Sequence, residues 1–556
     1  MSGSDSLLTS DIAARDDALD ETRSFIVQAP AGSGKTELLI QRYLRLLAFV
    51  EQPEEIIAIT FTRKAAAEMQ HRVVSALRAA EEGKQPDQPH EQRTAALARA
   101  ALERDADRQW GLLHSPSRMR IQTLDSLNAS IARSRPISSP ASASGVRVIV
   151  DAELLDLHRA AAISTLDYLA EPGPLCDAAT EVLDHLDNNT SIYVDYLARM
   201  LSTRDQWLPF TGSGALSEEE AAALRALLEA NLEAAVRERL ELVKELFPSA
   251  IRHELAALFD YAAGNLADGE NPDSPICGLA GLADLPPADP QGAPQWAAVA
   301  ELLLTQAGTF RKQVDKRLGF PAGQKAPKDT IKALLEDLAE HEQLAEALHG
   351  ARRLPPVDYS DEQWEVLLAL FRLLPLASVE LQRLFGEHGV ADHVDIAGAA
   401  ASALGSAEEP GDVALLLDYQ VRHLLVDEMQ DTSSAQYRML EALTGGWTPD
   451  DGRTLYCVGD PMQSIYRFRN AEVGQFLLAR QNGIGGVPLE PLVLRRNFRS
   501  GEGLVDWFNA VFPTILAEKD DPGSGSVSYS AAVAVPEKAC IGEVHVHPVF
   551  GNDKDF

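Results

Sequence analysis

The sequence predicts an α/β fold: a parallel sheet that is interrupted by a large, mainly α-helical insertion. Near the start of the chain, the apolar runs "SFIVQAP" and "EIIAITF" are typical of buried strands, and each precedes a helical pattern. Strand signals return after about residue 420, in "VRHLLVDE", "TLYCVGD" and "LEPLVLRRN". Because strands that alternate with helices form parallel sheets, we expect both groups to belong to α/β structure.

The stretch between these two groups is rich in alanine, leucine and glutamate. In it, Ser217 and Glu220 match a capping box, and leucines then recur at helical spacing. Proline- and glycine-rich breaks fall at 264–296 and 405–412. We therefore predict four parts: the α/β domain in two pieces, 1–135 and 416–494, the helical insertion 136–415, and the start of another α/β domain at 495–556.

The amino-acid composition limits the classes of protein to which this chain can belong. Of the 556 residues, 45% are hydrophobic, and 50 lysines and arginines stand against 83 acids, a formal net charge of −33. This charge argues against a protein that coats nucleic acid by bulk attraction, although it leaves room for a locally basic channel. Neither a signal peptide nor an apolar run of about 18 residues is evident, so we expect no membrane span. Four cysteines without a CxxC pair favour the reducing cytoplasm.

A glycine-rich loop lies between the first strand and the next helix. Its sequence "APAGSGKT" fits the Walker A pattern, with alanine where the strict pattern has its first glycine. Glycines let successive N–H groups face an anion, and the helix start adds positive charge. Lysine would reach the β- and γ-phosphates and threonine would bind Mg²⁺. The alternative is a simple turn before a helix. The predicted nucleotide residues are Ala29, Pro30, Ala31, Gly32, Ser33, Gly34, Lys35 and Thr36.

A Walker A loop needs an acid on a neighbouring strand, and "HLLVDEMQD" supplies two. Asp427 and Glu428 come at the carboxyl end of the predicted strand, where ligands of open α/β sheets bind. Asp427 would hold Mg²⁺, and Glu428 would orient and deprotonate the attacking water. The alternative is a pair of solvated acids after a strand.

The segment "GDPMQSIYRFRN" at 459–470 combines two kinds of chemistry. Its acid and glutamine suit phosphate or metal, whereas its aromatic rings and arginines suit bases and the nucleic-acid backbone. Taken alone, Tyr466 and Phe468 are residues of a kind that more often belongs to the core.

Six ordered blocks between residues 29 and 500 make the chain resemble superfamily 1 DNA helicases of the UvrD/RecB/AddA type, such as the exonuclease V beta subunit. The long helical insertion is more similar to the RecB/AddA branch than to the compact UvrD branch. The blocks are "APAGSGKT" (29–36), "ITFTRKAAAEMQHRV" (59–73), "IQTLDSL" (121–127), "LLVDEMQDTSSAQ" (424–436), "VGDPMQSIYRFRNA" (458–471) and "LRRNFRS" (494–500).

The resemblance implies a RecA-like P-loop NTPase domain and the beginning of a second RecA-like domain. It further implies an ATP-dependent DNA helicase or translocase that uses ATP and Mg²⁺, moves 3′→5′ on single-stranded DNA and acts in DNA repair or recombination. The implied partners are duplex ends and a second helicase–nuclease subunit. A P-loop kinase or metabolic NTPase would leave the aromatic–arginine segment unexplained. A truncated fragment that binds nucleotide and DNA without unwinding is the alternative.

The resemblance also assigns roles to residues outside the loop and the acids. Gln463 would sense the γ-phosphate, Arg499 would stabilise its charge, and Phe498 would stack on adenine. Asp460 would anchor its turn, and Gln430 with Asp431 would couple the acids to the next block. Gln436 would give structural support. The implied DNA contacts are Phe61, Thr62, Thr123, Tyr466, Phe468 and Arg469, with Arg63, Lys64 and Ser126 in the same blocks.

The sequence departs from the family pattern at three points. Many relatives have histidine where Asp125 stands, and an acid is unfavourable next to phosphate. Relatives often carry an adenine-reading glutamine upstream of the loop, but residues 11–22 contain none. The chain ends before the later helicase blocks. We therefore expect an incomplete second domain and a poorly held Arg499.

Overall fold

The strands lie in the N-terminal and C-terminal parts of the chain. The computed structural model describes residues 3–134, 146–211, 216–269, 271–321, 323–405, 409, 411–464, 472–535, 544–545 and 547. The strands in these residues are β1 (Phe25–Gln28), β2 (Ile56–Thr60), β3 (Arg120–Thr123), β4 (Arg147–Val148), β5 (Val390–Ala391), β6 (His423–Val426), β7 (Thr454–Gly459), β8 (Glu490–Val493), β9 (Arg496–Asn497) and β10 (Val533–Ala534).

Helices occupy most of the remaining described chain. They are α1 (Gly3–Asp17), α2 (Lys35–Leu47), α3 (Arg63–Glu81), α4 (Pro89–Arg108), α5 (Leu124–Arg133), α6 (Asp151–Ser164), α7 (Pro174–His185), α8 (Thr190–Leu201), α9 (Arg204–Thr211), α10 (Glu218–Leu246), α11 (Arg252–Ala267), α12 (Ala293–Leu303), α13 (Lys325–Leu338), α14 (Glu342–Ala351), α15 (Asp361–His388), α16 (His393–Leu404), α17 (Asp412–Gln420), α18 (Ser434–Thr444), α19 (Val473–Asn482) and α20 (Glu502–Val511).

The chain divides into two compact units. The first comprises Met1–Ala162, Leu197–Phe210 and Ser378–Phe556, and the second comprises Ile163–Tyr196 and Thr211–Ala377. The four domain bounds given above remain a prediction.

The first unit is built around a six-stranded sheet with the order β3–β2–β6–β7–β1–β8. All five hydrogen-bonded pairs are parallel, and the register sets Ile59 opposite Val426 and Val27 opposite Val458. Three strands that precede the helical region and three that follow it thus form one sheet. The predicted α/β class with a parallel sheet and a helical insertion is confirmed.

Both faces of the sheet are covered by helices. Side chains on a strand alternate between faces, so Phe25 and Val27 pack into the core beneath α2 and α3, whereas Ile26 packs into the core with α5 and α18. Such strands read as continuous apolar runs because neither face meets water. This explains why the sequence alone located them.

The second unit is helical in the described residues and has its own core. Helices α10 to α14 bury a cluster around Trp296, whose indole N–H donates to the Pro287 carbonyl at 3.0 Å. The predicted capping box at the start of α10 is present. The Ser217 hydroxyl accepts from the Glu220 amide at 3.2 Å, and the Glu220 carboxylate accepts from the Ser217 amide at 2.8 Å.

A buried ion pair joins distant segments of the first unit. Arg204 at the start of α9 donates to both carboxylate oxygens of Asp392, at 2.7 and 2.5 Å, and Asp392 caps α16. Burial alone would raise the pKa of the Asp392 carboxyl, but His158 and Arg204 hold it well below its usual range. In the part of the chain that the structure describes, no helix is both long and apolar enough to span a membrane.

Candidate functional site

The glycine-rich loop connects β1 to α2 and has a backbone that only glycine adopts readily. Gly32 and Gly34 have φ values of +79° and +77°, in the left-handed region. A Cβ atom at Gly32 would lie 2.7 Å from the Asn497 side-chain oxygen, so a larger residue would not fit there. Gly34 caps α2 without a side-chain hydrogen bond. The loop therefore leaves the helix start open to an anion.

The carbonyl oxygens of loop residues 31–33 are held by the surrounding chain. Asn497 Nδ2 donates to the first at 3.2 Å, the Phe498 amide donates to the second at 2.8 Å, and Arg15 Nη2 donates to the third at 2.6 Å. The first amide groups of a helix have no partner within the helix. With its carbonyls engaged elsewhere, the loop presents these amides, and this cradle fits phosphate.

The two predicted acids follow β6 and meet the lysine of the loop. The Lys35 ammonium forms an ion pair with the Glu428 carboxylate and lies 3.9 Å from Asp427 Oδ1. The acids were expected on a strand next to β1, but β7 lies between β1 and β6. The long lysine side chain closes this gap, so the phosphate loop and the acids form one site.

Burial shapes the charge of this site. Desolvation, aided by the charge of Glu428, raises the pKa of the Asp427 carboxyl to about 6, although Lys35 opposes the shift. Glu428 has φ +53°, a left-handed conformation that non-glycine residues rarely adopt. Hydroxyl and carboxylate oxygens are the ligands that Mg²⁺ takes, so the donor set of Thr36 and Asp427 fits this ion.

A chain of hydrogen bonds leads from the acids to the next block. Gln430 Nε2 donates to Glu428 Oε2 at 2.8 Å, and Gln430 Oε1 accepts from the Asp460 amide at 2.9 Å. The buried Asp460 carboxylate accepts from the Met462 amide at 3.1 Å and from the Gln463 side chain. Asp460 thus caps the turn that carries Gln463, which is exposed.

Supporting side chains complete this region. Gln430 Nε2 also lies 3.2 Å from Asp431 Oδ2, and burial followed by the charge of Glu428 raises the pKa of the Asp431 carboxyl to about 6. Gln436 forms a capping box with Ser433 at the start of α18, the structural support that was expected of it.

Phe498 and Arg499 lie beside the loop. The Phe498 ring is 42% exposed, and a Cβ atom at Gly34 would lie 3.6 Å from it. Arg499 is exposed, its amide donates to Asn497 Oδ1 at 2.9 Å, and its Cβ lies 2.7 Å from the Cβ position of Gly32. Both residues are therefore adjacent to the phosphate cradle.

The predicted DNA residues that the structure describes lie just after β2 and at the last residue of β3. Thr62 is exposed and caps α3, accepting from the Ala65 amide at 3.1 Å. Thr123 is buried and caps α5, accepting from the Ser126 amide at 3.2 Å. Their contacts with DNA remain predictions, as do those of Tyr466, Phe468 and Arg469, which fall outside the described residues.

A cavity of about 410 Å³ lies at the carboxyl ends of β2 and β6. It is lined by Phe61 and Asp125 from the predicted DNA blocks and by Asp427 and Glu428 from the acidic pair. Asp125 Oδ2 is 3.6 Å from a ring nitrogen of His393, so a histidine from α16 accompanies this acid.

Two groups that hold the loop were missed by the sequence analysis. Arg15 and Asp11 on α1 reach the loop and the segment after β8, and Asn497 anchors the loop from that segment. Asn497 lies within the block at 494–500, but no local pattern assigns it a role. Arg15 lies within residues 11–22, where no local pattern marks an arginine as a loop contact.

A parallel sheet with a phosphate loop after its first strand and acids at the carboxyl end of β6 defines a RecA-like P-loop protein. The family model for the UvrD/REP helicase N-terminal domain matches residues 13–483. The chain therefore belongs to the UvrD/REP helicase family.

Individual relatives are each named as a subunit of an ATP-dependent helicase/nuclease. The protein from Moorella thermoacetica is 28% identical over 93% of this chain and 35% of its own length. That from Bacillus anthracis is 26% identical over 92% and 39%, and that from Exiguobacterium sibiricum is 33% identical over 30% and 13%. In the Moorella and Bacillus matches, this chain therefore covers between a third and two fifths of the relative's own length.

Proposed function

We propose that this chain is the motor part of an ATP-dependent DNA helicase that moves 3′→5′ along single-stranded DNA in cytoplasmic DNA repair or recombination. One observation carries the proposal: Lys35 of the phosphate loop is in ionic contact with Glu428 and close to Asp427. Membership of the UvrD/REP helicase family supports DNA as the substrate track.

In this proposal the loop amides bind the phosphates, and Lys35 exchanges the Glu428 carboxylate for the β- and γ-phosphates. Thr36 and Asp427 would hold Mg²⁺, which supplies positive charge to the transferring phosphoryl group. Glu428, once released, orients a water and takes its proton as the water attacks phosphorus and the bond to ADP breaks. Arg499, which lies beside Gly32 of the loop, would neutralise charge on the γ-phosphate.

Coupling to DNA would run through Gln430. This side chain bonds both Glu428 and the Asp460 amide, and Asp460 holds the turn that ends at Gln463. The segment that contains Tyr466, Phe468 and Arg469 follows that turn directly in sequence. A change at Glu428 on hydrolysis would therefore pass to the side chains that stack on DNA bases. Each stacked base contributes ~1–3 kcal/mol of binding free energy.

The proposed partners are duplex ends and a second helicase–nuclease subunit. The relatives are named as subunits of a helicase/nuclease, and this wording supports a larger assembly. The proposal includes no membrane partner.

The test is ATP hydrolysis with and without single-stranded DNA. The wild-type chain should hydrolyse ATP faster with DNA present. Glu428→Gln should retain ATP binding but lose roughly 10²-fold or more in turnover, because a general base contributes that much. Lys35→Ala should lose at least about tenfold in nucleotide affinity or turnover. Glu68→Gln changes an exposed acid on α3 and serves as the control.

A rate of ATP hydrolysis that is the same with and without single-stranded DNA would contradict the helicase assignment and favour a metabolic NTPase. An unwinding assay on a tailed DNA duplex distinguishes between the two remaining hypotheses. Strand separation with ATP supports the helicase, whereas DNA-stimulated hydrolysis without separation supports the alternative of a fragment that binds nucleotide and DNA but does not unwind.

A further inference from the structure

We propose that α19 fixes the spacing between the acids and the phosphate loop, and that Glu472 and Arg480 are the positioning residues at its two ends. The inference rests on the proposed function, because it concerns the geometry in which that site would hold Mg²⁺. Helix α19 comprises the ten residues Val473–Asn482, and Glu472 is its N-cap. Neither positioning residue belongs to the loop, to the acids or to the six sequence blocks.

The beginning of α19 is bonded to the chain that follows the acids. The Glu472 amide donates to the Thr432 carbonyl at 3.2 Å, and Glu472 Oε2 accepts from the Ser434 hydroxyl at 2.7 Å. Gln475 Nε2 donates to both Ser434 Oγ and Glu472 Oε2, at 3.1 and 3.2 Å. Thr432 and Ser434 closely follow Glu428 in the sequence. This end of the helix is therefore anchored to the acidic side of the site.

The last turn of α19 is bonded to the strand that carries the loop. Arg480 Nη1 donates to Gln28 Oε1 at 3.1 Å, and Arg480 Nη2 forms an ion pair with Asp520. Gln28 is buried, is the last residue of β1 and directly precedes Ala29 of the loop. Asp520 Oδ1 accepts from the amide and the hydroxyl of Ser528 at 2.7 and 2.8 Å. The carboxylate that orients Arg480 is therefore itself held in place.

The helix between these two ends is packed against the sheet. Phe476, Leu477 and Ala479 are fully buried. They belong to the core that also contains Ile26 of β1 and Val426 of β6. Because close-packed interiors have low compressibility and transmit strain, a shift at one end of α19 is passed to the other. The helix thus links the strand before the loop to the chain after the acids.

The spacing that α19 fixes matters most for Mg²⁺. In the proposed site, Thr36 beside the loop and Asp427 among the acids would both hold this ion, which demands near-octahedral geometry. Phosphate binding by the loop amides has no such requirement. A change of spacing should therefore weaken Mg²⁺-dependent binding more than metal-free binding. If Arg480 only satisfied the buried Gln28 amide, its loss would lower stability and leave the effect of Mg²⁺ unchanged.

The experiment measures the affinity of the whole chain for the non-hydrolysable ATP analogue adenylyl-imidodiphosphate, by competition with a fluorescent nucleotide, in Mg²⁺ and in EDTA. The ratio of the two dissociation constants gives the gain from Mg²⁺. Arg480→Met and Glu472→Ala should each reduce this gain at least about fivefold, which is about 1 kcal/mol, and leave the affinity in EDTA unchanged. Glu472→Gln keeps an oxygen that accepts from Ser434, so this variant should retain the wild-type gain.

Each variant has a matched control. Arg453 also forms ion pairs with two acids, and its side chain is about as buried as that of Arg480, but it directly precedes β7 at the amino end of that strand. Arg453→Met should lower thermal stability and leave the gain from Mg²⁺ unchanged. Glu220→Ala removes a similar contact between serine and glutamate from the start of α10, and it is the control for Glu472→Ala.

A double variant tests whether Arg480 acts through Gln28. Gln28→Leu should reduce the gain from Mg²⁺, and Gln28→Leu combined with Arg480→Met should reduce it no further. Because Arg480→Met leaves Asp520 without its partner, Arg480→Met with Asp520→Asn replaces the single variant if that variant does not fold, and the same loss of gain is expected.

The outcomes separate this inference from the proposed function. An unchanged gain from Mg²⁺ in either the folded Arg480 variant or the folded Glu472→Ala variant overturns the inference and leaves the proposed function standing. A wild-type chain that binds the analogue no more tightly in Mg²⁺ than in EDTA, or does not bind it at all, overturns the proposed site itself.

Discussion

Gly32 occupies the most crowded position of the phosphate loop. A Cβ atom there would lie 2.7 Å from both Arg499 Cβ and Asn497 Oδ1, and φ is +79°. Gly32→Ala should therefore displace the residues that hold the loop carbonyls. The cost of this displacement adds to the ~1–2 kcal/mol that an alanine loses in the left-handed conformation. We expect ADP affinity to fall at least about tenfold, measured by competition binding.

Gly83 provides the control for this prediction. Its φ is +70°, but a Cβ atom there would have no neighbour within 4 Å. Gly83→Ala should lower thermal stability through the same backbone strain and leave ADP affinity unchanged. Equal losses of affinity in both variants would mean that strain, and not crowding against the segment after β8, explains the need for glycine.

At the level of single side chains, position in the fold also decides which hydroxyls are accessible. Thr62 and Thr123 both cap helices, yet only Thr62 is exposed, whereas Thr123 is buried. Sequence blocks gave both residues the same predicted DNA contact. The structure makes Thr62 the better placed of the two, since its cap leaves the residue at the surface.

Strand β6 carries the acids at one end and a buried histidine at the other. His423 is fully buried, and its Nδ1 lies 2.8 Å from the Thr454 hydroxyl. Burial, with the charges of Arg42 and Arg422, lowers the pKa of His423 to about 3. The histidine in this strand therefore stays neutral where an exposed one would be charged.

This burial makes the stability of the strand depend on pH. Between about pH 6.5 and pH 3 the unfolded chain binds a proton that the folded chain does not, so stability falls as the pH is lowered through this window. His423→Asn can keep a hydrogen bond to Thr454 but cannot titrate. Relative to this variant, wild type should lose about 3 kcal/mol between pH 7 and pH 4, measured by chemical denaturation.

The comparison cancels the opposing effect of Asp427 and Asp431, whose raised pKa values are common to both proteins. His71→Gln removes an exposed histidine from α3 and is the control for the loss of a histidine as such. Parallel pH profiles for wild type and His423→Asn would show that His423 does not titrate as its burial requires.

Over the whole molecule, the formal charge of −33 opposes contact with DNA. If phosphates are held in a locally basic channel, binding must still release counterions, and affinity should fall with salt by a log–log slope of roughly −0.7 for each phosphate contact on a single strand. Arg63 is exposed at the start of α3, within a predicted DNA block. Arg63→Ala should make the slope shallower by about 0.7.

The control is Arg72→Ala, which removes an exposed arginine from the same helix that pairs with Glu68 at 2.6 Å. This variant should keep the wild-type slope. Binding of single-stranded DNA that does not change between low and moderate salt would contradict a phosphate-contacting channel anywhere on the chain.

Much of the sheet could be predicted because its strands are covered on both faces. The apolar runs that became β1, β2, β6 and β7 needed no knowledge of their neighbours. The acids were expected on the strand next to β1, but they follow β6, and β7 lies between β6 and β1. This prediction was wrong because sequence signals do not reveal the order of strands in a sheet. The capping boxes at Ser217 and Ser433 involve residues three apart, so the sequence carries the whole interaction.

The sequence by itself predicted the phosphate loop and the two acids, because each depends on residues within about a dozen positions of one another. It indicated the family and the α/β class through the order of several such short blocks along the chain. Only the tertiary structure decided that Asp11 and Arg15 hold the loop together with a segment 484 residues further along. It likewise decided that Gln430 joins Glu428 to Asp460. Such contacts arise when packed elements bring distant side chains together, and no local periodicity records which partner each one meets.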